Sequence, residues 1–117
     1  MVVEIAGKKY ELNFGLGFIA ELDKMYTIEE SGLKFGVGID MLIAYLKMRN
    51  PVVLKNVIKA GTAHLIQKPS NKDIESYLEE LASNDKLEEF FKEIESNIKI
   101  APFLKQRFQM VEEKIES

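Results

Sequence analysis

Few residues in this chain could carry out chemistry. His64 is the single histidine among 117 residues, and there is no cysteine. An imidazole titrates near pH 6.5 and can act as a general base. Covalent catalysis would also need a nucleophile beside it, and nearby Thr62 is not an evident one. Between Ala63 and Leu65, His64 reads as an ordinary helical residue. The carboxylates cluster late, as Glu79-Glu80, Glu88-Glu89, Glu93 with Glu95, and Glu112-Glu113. Two carboxyls facing each other across a cleft could work as an acid and a base, and oxygen ligands suit hard cations. Here Lys86, Lys92, Lys99, Lys105 and Lys114 are interleaved with them. That pattern describes solvated helix faces with i, i+4 pairs. Phe35-Gly36-Val37-Gly38 contains a G-x-G, but Met41 stands where a dinucleotide fingerprint needs its third glycine. The expectation is a non-enzyme with no cofactor and no metal.

Composition narrows the classes further. The chain is 46% hydrophobic and 30% charged, which is globular rather than disordered. Its length fits one domain with a real core, residues 1–117. A net charge of −3 argues against a nucleic-acid partner, whose footprint is a basic surface. Without cysteine there are no disulfides and no Cys-ligated zinc, which fits a reducing cytoplasm. The longest uncharged run, Leu12 to Ala20, is far short of the roughly 20 apolar residues of a membrane span. Glu4 interrupts the apolar start, so no signal peptide is expected.

The elements follow from hydrophobic period. Val2 to Asn13 alternates apolar and polar residues about Gly7-Lys8, which predicts a β-hairpin over 2–13 with a two-residue type II′ loop. Closure there would set Ile5 opposite Tyr10 and Val3 opposite Leu12. A lone hairpin is marginal, so its apolar face must lie on helices. Asn13 can cap a helix over about 14–26, and glycine-punctuated residues 27–38 read as a loop. Helices are predicted over about 39–48, 51–67, 71–82, 86–99 and 103–116. Their starts are marked by Asn50-Pro51, Ser70 with Asp73, Asp85 with Glu88, and the break at Pro102. The fold expected is mainly α (α+β), an N-terminal β-hairpin packed on a bundle of about six helices.

The last helix carries a stripe of Leu104, Phe108, Val111 and Ile115 at 4-3-4 spacing, with Phe103 beside it. This is an a/d seam too short for a coiled coil. Phe90, Phe91, Phe103 and Phe108 can serve the core, and a terminal stripe can also pair with another subunit or hold a client helix. Met25, Met41, Met48 and Met110 offer either core filling or adaptable contact surface. An apolar terminal helix and a free hairpin edge both favour a homo-oligomer.

One resemblance ties these features together. Ile5-Ala6-Gly7-Lys8-Lys9-Tyr10-Glu11-Leu12-Asn13-Phe14-Gly15-Leu16-Gly17-Phe18, running into Glu21-Leu22-Asp23-Lys24-Met25-Tyr26, resembles the opening of the tail assembly chaperones of long-tailed phages and prophages of Gram-positive bacteria. Phe35-Gly36-Val37-Gly38, Tyr45-Leu46, Asn50-Pro51, Ala60-Gly61-Thr62-Ala63, and Pro69-Ser70 with Asp73-Ile74-Glu75-Tyr77-Leu78-Glu79 extend it. The likeness covers most of residues 3–82 and fades over the last 35 or so. It implies a chaperone that binds the tape measure protein, keeps it soluble and helps recruit tail tube protein around it. It further implies work in the host bacterial cytoplasm and absence from the mature virion. On this reading Phe103, Leu104, Phe108, Val111 and Ile115 are the expected partner-binding residues. The rival readings are a bacterial adaptor unrelated to virions and a small hydrolase using His64.

Overall fold

The computed structural model describes the backbone of residues 1–116 and the side chains of residues 1–114. Strands β1 (Val2–Ile5) and β2 (Lys8–Glu11) form the N-terminal hairpin, with Val3 opposite Tyr10 and Ile5 opposite Lys8. The turn residues are Ala6 and Gly7, at φ 52° and 78°, so both central positions are left-handed. That is the type I′ pattern, whose twist matches that of the flanking strands. It corrects the expected Gly7-Lys8 loop and shifts the register by two residues. A two-residue shift keeps every side chain on its face. Val3, Ile5, Tyr10 and Leu12 are accordingly all buried.

Helix α1 (Leu16–Met25) starts later than expected. Asn13 does not cap it from the N-cap position. Its Oδ1 accepts the Gly15 N–H at 2.8 Å, holding a turn just before the helix. Residues 27–38, expected as a loop, hold a second hairpin of β3 (Thr27–Glu30) and β4 (Leu33–Gly36), joined by Ser31-Gly32 at φ 53° and 79°. Every residue of these two strands is exposed.

Helices α2 (Gly38–Lys47) and α3 (Val52–Gly61) follow. Asn50 Oδ1 accepts the Val52 N–H at 3.0 Å, which satisfies an amide that the first turn leaves open. The expected helix over 51–67 stops early. Thr62 is buried, and its hydroxyl donates to the Ile58 carbonyl at 2.8 Å, closing the helix end. Helix α4 (Asn71–Ser83) opens with Ser70 Oγ accepting the Asp73 N–H at 3.1 Å. Asp85 does not cap α5 (Leu87–Ile100), because it sits in the turn at φ 56° and Lys86 occupies the N-cap. Helix α6 (Lys105–Glu116) begins past a turn over 102–104.

Helix α1 packs on α2 and α3, α3 on α4, α4 also on β1, and α6 on α2 and α5. Their inward side chains form one cluster that includes Ile5, Leu12, Phe18, Leu22, Leu46, Ile58, Ile74, Ile94, Ile98 and Phe108. Full burial of such a side chain contributes about 1.5–3 kcal/mol before entropy is subtracted. The molecule is thus mainly helical α+β, with six helices among the described residues. The β3–β4 hairpin adds nothing to this core.

Candidate functional site

The densest arrangement of charged and aromatic groups lies where α6 meets α2 and α5. Leu104 and Phe108 point inward and are buried. The ammonium groups of Lys47 and Lys99 each lie 5.4 Å from the centroid of the Phe108 ring. Both cations reach Glu112, at 2.6 Å from Lys47 and 3.8 Å from Lys99. At the start of the helix, the Arg107 guanidinium forks onto the Asp40 carboxylate, with two N–H···O bonds of 2.6 Å. Such bidentate pairs are the stronger kind of ion pair.

A second tier anchors this clamp. Glu95 of α5 is 7% exposed, and it accepts from Arg49 at 2.7 Å and contacts Lys47 at 3.3 Å. Arg49, at φ 56° in the α2–α3 connection, also forks onto Glu88 at 2.8 and 2.9 Å. Its guanidinium lies 5.2 Å from the centroid of the Phe91 ring. The hydrogen bond from Arg107 holds the Asp40 carboxyl below the usual carboxylate range, and the bond from Lys47 does the same for Glu112. The Glu112 partner in turn raises the Lys47 ammonium above its ordinary value. A charge relay across three elements therefore seats α6.

The expected partner-binding residues separate here. Phe103 is 57% exposed, Leu104 and Phe108 belong to the core, and Val111 is half-buried against it. The side chain of Ile115 lies outside the described residues. The stripe at 4-3 spacing is thus seated on its own chain, and Phe103 stands outside it. Sequence period missed Ile100, 75% exposed at the end of α5, whereas Met110, one of the methionines weighed as core or contact surface, is exposed on α6. Ile100 sits two places past Ile98 and so off the buried stripe. That offset was the available signal.

The other chemical candidates resolve into structure. An added Cβ at Gly36 would lie 2.5 Å from Asp23 Cβ, and one at Gly38 would lie 2.6 Å from Leu22 Cβ. Both glycines let the β4–α2 turn press against α1. The Gly38 N–H, at the start of α2, donates to Asp23 Oδ1 at 2.8 Å. A carboxylate of the same chain fills the place a phosphate would take at a helix N-terminus. His64 lies exposed in the turn past α3. Among the described residues, no three His, Asp or Glu side chains gather as metal ligands. No helix of the described chain is long and apolar enough to cross a membrane.

No curated protein and no solved structure matches the chain. A family model described as phage tail assembly chaperone protein, TAC, matches residues 2–113. With nearly the whole described fold inside that match, the chain belongs to the phage tail assembly chaperone family.

Proposed function

We propose that this chain binds the tape measure protein in the host cytoplasm, keeps it soluble, and gives way as tail tube subunits assemble around it. Family membership supports this reading. The observation that carries it to a surface is the apolar junction of α5 and α6, where Ile100 and Phe103 are exposed at 75% and 57%. Large apolar side chains exposed together on an otherwise charged helical surface suit a protein partner. The mechanism is cover without covalent chemistry. Apolar burial drives it at roughly 25 cal/mol per Å². Association costs offset much of that gain and keep the complex reversible.

The partner-binding surface is Phe103 with Ile100 and the outer edge of Val111. Leu104 and Phe108, buried in the seated helix, join it when α6 moves. The test is co-purification of a co-expressed tape measure protein. The double variant Ile100→Asp, Phe103→Asp should retain the helical spectrum of the parent and lose binding by at least about tenfold, or 1.4 kcal/mol. Undiminished capture by that folded variant removes the assignment.

Self-association is part of the same reading. The β3–β4 hairpin is a two-stranded sheet with exposed Ile28, Leu33 and Phe35, and its outer edges carry unpaired backbone groups. Light scattering should show assembly that grows with concentration. A monomer throughout the micromolar to millimolar range counts against it.

A further inference from the structure

We propose that the seat of α6 on α2 and α5 is a receptor groove for a partner helix, and that α6 is its resident occupant, exchanged for a client segment of matching charge order. This rests on the client-binding reading above.

Three observations carry it. First, ion pairs share in holding α6, beside the apolar contacts of Phe108 and Val111. Three of the ion pairs that seat it are Asp40–Arg107, Lys47–Glu112 and Lys99–Glu112, while among its described side chains Phe108 is fully buried and Val111 partly so. The members of these pairs are 26% to 49% exposed, so salt and water compete for them. Second, α6 is a weak helix by itself. It is 12 residues long, near the lower limit for an isolated helix in water. Its first turn holds Arg107 and no acidic residue, which opposes the helix dipole at that end. Lys114 in the last turn suits the dipole and Glu112 lies further in, so the dipole does not account for where Arg107 and Glu112 stand. Their placement makes sense as complementarity to α2 and α5. Third, open clefts run along both flanks of α6, one lined by Lys99, Gln106 and Glu112, the other by Met110, Val111 and Glu113.

The resident helix specifies its replacement. Asp40 near the start of α2 meets Arg107, and Lys47 at its end meets Glu112, so α6 runs alongside α2 in the same direction. A fitting client is an amphipathic helix with a basic residue followed directly by an aromatic or large aliphatic one. An apolar residue follows three places on, with an acidic residue next to it, as in Arg107-Phe108-x-x-Val111-Glu112. The base faces Asp40, the apolar pair fills the seat between the two lysines, and the acid faces Lys47 and Lys99. A helix with the opposite charge order would set like charges together at both ends.

The experiment uses the full chain and a labelled synthetic peptide of residues 101–117. In wild-type protein, amide hydrogen exchange should be about tenfold or more faster along α6 than along α5, and should rise further in 1 M salt, because local opening lies below global unfolding. The variant Arg107→Glu should bind the peptide at least about tenfold more tightly than wild type does, since the tethered helix no longer competes at high effective concentration. A peptide carrying Arg107→Glu and Glu112→Lys should lose about tenfold in affinity for that same variant. Exchange along α6 as slow as along α5 at both salt levels, or equal affinity for the two peptides, overturns the proposal. Light scattering on the same samples covers the other occupant. A dimer that dissociates as peptide is captured would mean the seat belongs to α6 of a second copy, and that also overturns it. If the variant does not fold, the exchange measurement on wild type decides. None of these results depends on the tape measure protein, so failure here leaves the co-purification result standing.

Discussion

At the scale of single residues, the chain is shaped more by close approach than by chemistry. Gly38 opens α2 directly against α1, and a Cβ there would meet Leu22 carbonyl carbon at 2.7 Å and Asp23 nitrogen at 2.8 Å. Backbone cannot swing aside as a flexible side chain can. Gly38→Ala should therefore destabilise the protein by about 3 kcal/mol, at the upper end of overpacking costs. Denaturant unfolding checks this, and a loss under about 0.5 kcal/mol, typical of a surface site, would refute it. Gly17 is the contrast. Nothing lies within 4 Å of its added Cβ, so the same substitution there should be neutral or stabilising. The sequence displayed Gly36 and Gly38 as a motif but could not say what pressed on them. That depends on Leu22 and Asp23, residues of another helix. The Arg49–Glu95–Lys47 relay was illegible for the same reason. Its members lie 46 or more residues apart in part, and no local period joins them.

At the scale of elements, burial decides what could be read. Helices with one apolar face were legible because that face repeats at 3.6 residues, as Ile74, Tyr77, Leu78 and Leu81 do on α4. The face of the first hairpin was legible and its turn was not. Moving the pairing by two residues leaves the alternation intact, so period cannot separate Gly7-Lys8 from Ala6-Gly7. The second hairpin escaped because neither of its faces is buried, although Ser31-Gly32 between Thr27-Ile28 and Leu33-Lys34-Phe35 was a usable turn signal. An element without core contacts should be nearly silent in stability. Ile28→Asp with Phe35→Asp should shift unfolding by less than about 0.5 kcal/mol, the range for exposed sites, and should weaken self-association. Large destabilisation would show that the hairpin supports the fold. Unchanged assembly would show that its apolar face makes no contact between copies.

At the scale of the whole molecule, α6 joins the fold through groups that titrate as well as through Phe108, so acid should detach it before the rest of the core fails. Asp40 and Glu112 have folded-state pKa values below their unfolded ones, set chiefly by hydrogen bonds from Arg107 and Lys47. A depressed carboxyl contributes stability that is present above its unfolded pKa, about 4. That contribution is lost as pH falls through the folded value. Lys47 works in the opposite sense. Its raised pKa gives stability that is complete below about 10.4, the ordinary lysine value, and is lost as pH rises through the folded one. The clamp should therefore be intact from about pH 5 to 10. Below about pH 4 helical signal should fall by an amount matching the 12 residues of α6, while the core around Leu46, Ile58 and Ile98 stays folded. Phe108 would then leave the ammonium groups of Lys47 and Lys99, and an apolar dye should begin to bind the vacated seat. Asp40→Asn should raise the pH of that first step, because Arg107 keeps its charge and loses its partner. A single acid transition, with α6 and core amides losing protection together, would mean that the helix is fused to the core rather than docked on it.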